Sequence, residues 1–497
     1  MEPSNFRLTN KFKYLFGLSA EVTLQGLRAL TEMKEVASIQ KDEILYPHLA
    51  QGIPLMNAST VRTTYNGQGI SIAICDTGID YTHPMLGNGG FPNSKVIGGY
   101  DCGDEDNDPM DCEGHGTCCA GIAAGGFGSI GDYIGGVAYN AKLYALKITQ
   151  GCSGTAYTSD MIQAWDWCVD HQYDDPNNPI MVISTSFGGG YYKGSCDSAV
   201  PLLTQAAANA VAAGITIFAS SGNDGYCDGI GSPACISYVN SVGAVYDANI
   251  GRYPPLGYVG CISQYSCAGY DCPECYPGKC YVDFTTDADQ VTTYSNSANF
   301  LDLLAPSNNC YTTDISGSAG YSSGDYDSSF GGTSAACPYA AGAAACLQSA
   351  AKTINGSFLS PPEVRSILTS TGDPVIDPKN NIIKPRINLE EAINSLTGCT
   401  YTIDPISADF PASGGTGSVD VTTQSGCAWT ATSNDSWIHI TSGSSGTGSG
   451  TVNYSVDENT GSARTGTITI ANETFTVTQS GTSTHKPMPW LHLLLGE

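Results

Sequence analysis

Between residues 49 and 396, short apolar runs alternate with helical patterns, and this alternation limits the fold more than any other feature of the chain. ISIAIC, AKLYALKI, IMVISTS and ITIFASSG read as strands; SDMIQAWDWCVDHQ and LLTQAAANAVAAG read as helices. Strands alternating with helices of that length form βαβ units on a parallel sheet. The expected class is therefore α/β, a parallel sheet flanked by helices. At roughly 150 residues per domain, the 497 residues leave room for more than this one body.

Both flanks differ from it. Residues 1–48 read as a small separate unit, with helical apolar spacing from Val22 to Met33, then a strand-like VASIQ and a charged exit. Residues 399–480 are rich in Ser, Thr and Gly and carry alternating runs, GSVDVTTQ, GTVNYSVD, GTITIA and TFTVTQS. Alternation of period two marks half-buried strands, here the short antiparallel strands of a small all-β sandwich. Residues 481–497 carry no structure signal and are expected to form an unstructured tail.

Charge excludes some partners. Lys and Arg number 20 against 47 Asp and Glu, a net charge of −27. Nucleic acid and anionic membranes would be repelled, whereas divalent cations are suited. No apolar run approaches the roughly 20 residues of a spanning helix. The 20 cysteines are many for a compartment that keeps thiols reduced, which points to export. The N-terminal stretch lacks the apolar core of a signal peptide. The two observations agree if the natural precursor begins upstream. Cys261, Cys267, Cys272, Cys275 and Cys280 crowd into an insertion around residues 250–290. One C-x-x-C with irregular partners reads as a disulfide-stapled loop in preference to a zinc site.

Three motifs carry chemistry. SIAICDTGIDYTHP sets Asp76 at the end of an apolar strand, before a glycine turn. DCEGHGTCCAGIAAG sets His115 between glycines, ahead of a small-residue helix. SSFGGTSAACPYAAGAAA sets Ser334 after Gly-Gly-Thr, opening another such helix. Each alone has a plain structural reading: a turn aspartate, a helix-start histidine, a capping serine. Together they supply what acyl transfer needs. A serine hydroxyl is a poor nucleophile at neutral pH, and a histidine with a pKa near 6.5 can take its proton. An aspartate then fixes the tautomer and stabilises the imidazolium.

In the chain order Asp, His, Ser, these motifs resemble the subtilisin-like serine peptidases, or subtilases, over about residues 49–396. The resemblance implies Ser334 as nucleophile, His115 as general base and acid, Asp76 as orienting group, an acyl-enzyme intermediate, and no cofactor for the chemistry. ITIFASSGNDG resembles the family's oxyanion motif, which implies that Asn223 donates its amide to the oxyanion. A catalytically silent adhesin on this scaffold would lack a member of the set, and an esterase would want G-x-S-x-G. Neither description fits.

The same resemblance places polypeptide substrates. IMVISTSFGGG is similar to the strand that pairs with an extended substrate backbone, implying a wall of Ser186, Phe187 and Gly188, contacts from Ser221 and Gly222, and broad specificity. Gly231 to Ala234 would line the primary pocket, bracketed and stapled by Cys227 and Cys235. No acid is placed at its floor, so an apolar or mixed preference is expected. Met85 stands where a common Ca²⁺ site of the family has Asp. The DCGDEDNDPMDC loop, with Asp101, Asp104, Glu105, Asp106, Asp108 and Asp111, reads either as a structural Ca²⁺ site or as a solvated acidic face. Cys75, Cys118, Cys119 and Cys337 read as small buried hydrophobes, with Cys75 and Cys337 free.

LRALTEMKEVASIQKDEILYP resembles the C-terminal half of the family's inhibitory propeptide, implying that residues 1–48 inhibit their own enzyme and that the protein is secreted. CTYTIDPISADFPASGG through GTITIANETFTVTQSG resembles a BACON domain, a sandwich attached to secreted bacterial hydrolases. That resemblance implies a glycan or glycoprotein partner. Trp429 and Trp437 read either as sugar-stacking platforms or as core residues, and Cys399 and Cys427 as the module's bridge.

Overall fold

A computed structural model describes residues 6–11, 18–31, 33–34, 36, 39, 49–251, 285–423 and 427–482. The cysteine cluster Cys261–Cys280 and the tail beyond residue 482 lie outside the described residues. The chain divides into two compact units, residues 1–47 and 48–497. The first holds an antiparallel pair, Phe6–Lys11 with Leu18–Val22, and the helix Leu24–Thr31. The helix falls within the expected span. The pair was not anticipated, because FRLTNK and LSAEV offer only two or three alternating apolar positions each. Of VASIQ, Val36 and Ile39 are described, and neither lies in a strand.

The second unit is built on a nine-stranded sheet. Its strands are β1 (Ser71–Asp76), β2 (Val96–Asp101), β3 (Lys142–Lys147), β4 (Ile180–Thr185), β5 (Thr216–Ser220), β6 (Val239–Tyr246), β7 (Leu303–Ser307), β8 (Asp373–Ile376) and β9 (Ile383–Arg386). They lie in the order β8-β9-β7-β6-β5-β4-β1-β3-β2. Every neighbouring pair is parallel except β8 with β9, which are antiparallel. Strand β1 shows why its run is unbroken by polar residues. Ile72 and Ile74 join one apolar cluster with α1 (His115–Ala124) and α4 (Thr333–Asn355). Ala73 and Cys75 point the other way, into a second cluster with α2 (Thr158–Asp170) and α3 (Pro201–Ala212). Both faces are covered, as the helix-separated apolar runs require. Helix α4 is buried along most of its length, and its small residues permit that. A Cβ at Gly342 would stand 2.7 Å from the Ala123 carbonyl oxygen of α1. No helix among the described residues is long and apolar enough to cross a membrane.

Residues 402–479 form two further sheets. The first orders its strands Thr402–Asp404, Gly415–Thr422, Gly450–Val456, Ile438–Ser442; the second orders them Ser407–Phe410, Glu473–Gln479, Arg464–Ile470, Ala428–Ser433, Ser445–Thr447. Pairing is antiparallel apart from Ser407–Phe410 with Glu473–Gln479, a parallel pair that local alternation does not reveal. Val419, Val421, Ile438, Val452, Tyr454, Ile468, Phe475 and Val477 fill a core of their own, and Cys399 is bonded to Cys427. Both tryptophans serve structure. Trp429 is buried and donates its indole N–H to the Gly448 carbonyl at 2.7 Å, and Trp437 packs against that core under the Arg464 guanidinium, 4.1 Å from its ring centre.

Trp429→Ala removes a large buried side chain, a change that costs about 3–5 kcal/mol. Calorimetry of the variant should lose the sandwich's transition while that of the α/β body stays in place. Two unmoved transitions would contradict the assignment of Trp429 to the core.

Candidate active site

Strands β3 and β2 lie on one side of β1, and β4 and β5 on the other, so the chain order reverses there. Open α/β sheets hold ligands in the crevice at such a switch point, beyond the carboxyl ends of the strands. Asp76 is the last residue of β1, His115 the first of α1, and Ser334 the second of α4. Ser186 and Asn223 follow the ends of β4 and β5.

His115 Nδ1 lies 2.7 Å from Asp76 Oδ1, and Asp76 is fully buried. The start of α1 is fixed by Asp111, which accepts from the N–H groups of Glu113, Gly114 and Thr117 and from the Thr117 hydroxyl. These are donors that a helix start leaves without partners. Gly116 N–H donates to the Thr77 hydroxyl at 2.8 Å. A Cβ on Gly116 would stand 2.1 Å from the Gly78 carbonyl oxygen, so the Asp76 turn and α1 meet at a distance only glycine allows. Burial pushes the His115 pKa down. The charge and hydrogen bond of Asp76, with Glu113 and Asp111 behind them, outweigh burial and hold it above its ordinary 6.5.

Ser334 follows Gly332, whose φ is +77° and whose added Cβ would meet the Asn223 amide at 3.1 Å. Pro338, four residues on, has no N–H for the Ser334 carbonyl. That carbonyl accepts instead from the Ser186 hydroxyl at 3.0 Å and the Cys119 thiol at 3.5 Å. Cys119 Sγ is also 3.8 Å from His115 Nδ1. The rings of Phe187 and Phe330 meet the imidazole edge-on, at centroid distances of 5.6 and 5.3 Å. The same few residues thus hold the Ser334 backbone beside the imidazole. Neither Cys119 nor Phe330 carries a sequence signal for this contact.

Asn223 Oδ1 accepts from the Thr333 N–H at 2.8 Å and the Thr333 hydroxyl at 3.0 Å. The backbone N–H can only donate, so the amide oxygen faces α4 and the NH₂ is left to donate elsewhere. Gly222 N–H donates to the same Thr333 hydroxyl, and the Ser221 hydroxyl to the Asn296 carbonyl. Beyond Ser186, Phe187 and Gly188, Gly189–Tyr192 pairs antiparallel with Ile230–Ser232. This sets Gly231 to Ala234 beside the expected substrate wall. The expected staple between Cys227 and Cys235 does not form. Cys235 is bonded to Cys196, whose Cα lies 5.4 Å away, within the spacing a disulfide demands, and Cys227 is in a different disulfide.

The profile of the subtilase family matches residues 67–388, well over half of the chain. The chain belongs to the subtilase family. A second profile, of the BACON putative binding domain, matches residues 428–480. Serine protease AprX of Bacillus subtilis is 28% identical over 76% of this chain and 78% of its own length. Subtilisin DY of Bacillus licheniformis is 31% identical over 64% of this chain and 90% of its own. A solved structure, that of a cold adapted subtilisin-like serine proteinase, gives a TM-score of 0.45 at 22% identity, covering 65% of this chain and 90% of that one. The protein is a serine-type endopeptidase with a C-terminal BACON domain.

In this subtilase Lys147 joins two carboxylates of the acidic loop, Asp101 at 2.5 Å and Asp104 at 3.3 Å, and Asp106, Asp108 and Asp111 have other partners. Asp104 also takes the Gly151 N–H, Asp106 takes the Asp108 N–H and Asp108 the Tyr81 hydroxyl, while Asp111 caps α1. No three of these carboxylates bring ligand oxygens within 4.8 Å of one another. Among the described residues, the one trio of His, Cys, Asp or Glu with ligand atoms within 4.8 Å of one another is Asp76, His115 and Cys119. There Nδ1 and Oδ1 are already bonded to each other, and burial, with Asp76 beside it, pushes the Cys119 thiol well above its ordinary range. Cys75, Cys118 and Cys337 are also buried and free.

A base must be neutral, so the acid limb of kcat/KM should lie above pH 6.5. Glu113→Gln removes one charge that raises His115 while keeping an acceptor for the His115 N–H, so its limb should move to lower pH. A limb that stays in place or moves up would contradict this electrostatic account.

Proposed function

We propose that this subtilase cleaves polypeptides through Asp76, His115 and Ser334, with Asn223 as oxyanion donor. The observation that most supports the reading is the buried 2.7 Å contact of Asp76 with His115, set beside a serine at a helix start. Ser334 Oγ attacks the scissile carbonyl carbon as His115 Nε2 takes its proton, and Asp76 stabilises the imidazolium through Nδ1–H. The oxyanion accepts from the Asn223 NH₂. As the intermediate collapses, the C–N bond breaks and His115 gives its proton to the leaving amine. Water then repeats the cycle on the acyl-enzyme, releasing the acid and restoring Ser334. These steps draw on no cofactor, and any bound Ca²⁺ would be structural.

The backbone of Ser186 to Gly188, with Ser221 and Gly222 opposite, suits an extended peptide read mainly by its main chain, hence broad specificity. Export from a bacterium is supported by the disulfides Cys112–Cys152, Cys196–Cys235 and Cys399–Cys427, since such bonds persist in oxidising surroundings. Residues 1–48 are read as part of an inhibitory propeptide. The C-terminal module is read as a binder of glycan or glycoprotein. With Trp429 buried and Trp437 covered by Arg464, the exposed Ser, Thr and Asn side chains of its strands carry that contact.

Ser334→Ala should abolish hydrolysis of a soluble peptide while leaving far-UV dichroism and Tm unchanged. Deleting residues 399–497 should change kcat/KM on the same peptide by less than about tenfold, 1.4 kcal/mol in the barrier. Residual turnover by purified Ser334→Ala within about tenfold of the parent would remove the nucleophile assignment.

A further inference from the structure

We propose that Asn296 is the positioning residue of the oxyanion donor, a step that rests on the reading of Asn223 above. Asn296 lies between β6 and β7 and is fully buried. Its backbone N–H donates to the Gly222 carbonyl at 2.9 Å, and its carbonyl accepts from the Ser221 hydroxyl at 3.1 Å. Its Nδ2 donates to the Ser221 carbonyl at 3.0 Å and to Asp224 Oδ2 at 3.2 Å. Its Oδ1 accepts from the N–H groups of Asp224 and Tyr226, each at 3.0 Å. The residues on both sides of Asn223 are bound to this one residue.

The loop needs such a partner. It leaves β5 and turns with φ of +103° at Gly222 and +67° at Gly225. After the Ser221 N–H, which donates to the Val242 carbonyl of β6, its peptide groups therefore leave the sheet ladder and need partners from side chains and other loops. Buried peptide groups require partners, and a side-chain amide offers donor and acceptor from one plane. The fit is close, since a Cβ on Gly222 would stand 2.3 Å from Asn296 Nδ2. The Asn223 amide is therefore held from two sides, by Thr333 on its own oxygen and by Asn296 on the backbone that carries it. Preorganised donors work because they need no reorganisation as charge develops, and a loop free to shift would lose that advantage. Aspartate at 296 would keep both acceptor bonds, lose both donor bonds, and set a second carboxylate against Asp224.

The test is a double-mutant cycle on the full chain, with kcat and KM on a soluble peptide and Tm for each variant. Asn223→Ala should lower kcat by about 10²–10³, a magnitude established on a subtilisin and carried over to this relative. Asn296→Ala and Asn296→Asp should each lower kcat by about tenfold or more, with a smaller change in KM and with the acid limb set by His115 unmoved. In the Asn223→Ala background the same changes should cost less than about twofold, because residues that act as one unit are not additive. Equal losses in both backgrounds, or no loss from either Asn296 variant, would overturn the positioning role while leaving Asn223 as donor. Full kcat in Asn223→Ala would overturn the oxyanion reading and this step with it. If Asn296→Ala does not fold, the near-isosteric Asn296→Asp decides alone.

Discussion

The buried contact between Asp76 and His115 is the constraint around which the rest of the site is arranged. A carboxylate removed from water carries a cost of several kcal/mol unless it is paired and hydrogen-bonded. Asp76 has the imidazole and the Thr77 N–H on one oxygen. Keeping that contact requires the β1 turn and α1 to approach closely, which explains glycine at 116; glycine at 78, with φ of +109°, leaves room for the Pro109 carbonyl and the Asp111 that caps α1. The pair also decides the protonation chemistry, because burial alone would lower His115 whereas Asp76 raises it.

Helix α4 answers the other half of the problem. Ser334 stands half-buried at a helix start, and its backbone carbonyl is fixed from outside its own helix. Pro338 withdraws the helical donor from the Ser334 carbonyl, and residues of α1 and the end of β4 take over, through Cys119 and Ser186. The carbonyl of the serine and the ring of the histidine therefore share neighbours. The small side chains of α1 and α4 allow the two helices to approach closely enough for this.

Much of this was legible in the sequence, because the decisive signals are local. Largely apolar runs such as ISIAIC mark doubly covered strands, and Asp76, His115 and Ser334, each within two residues of a glycine, mark element ends. Long-range partners were less legible. Cys235 pairs with Cys196 although Cys227 is nearer in sequence, and Ser407–Phe410 pairs parallel to a strand over sixty residues away. Asn296 sits in a polar stretch, YSNSAN, that reads as a loop; only its hydrogen bonds to Ser221, Gly222, Asp224 and Tyr226 reveal what it does. The acids of residues 101–111 look like ligands in sequence because the Lys147 ammonium shared by Asp101 and Asp104 and the Tyr81 hydroxyl on Asp108 come from distant positions. Asp106 and Asp111 are taken up by nearby N–H groups that spacing alone does not reveal. Trp429 and Trp437 looked available for sugars because a small sandwich's core and its platforms use the same residue type.

Reaction of the full chain with a serine-directed fluorophosphonate, followed by intact mass and peptide mapping, tests the account most directly. One phosphonyl adduct per chain is expected, on Ser334, at a rate that falls as the pH drops through the His115 pKa. A folded protein that takes no label, or that takes it at another serine, would contradict it.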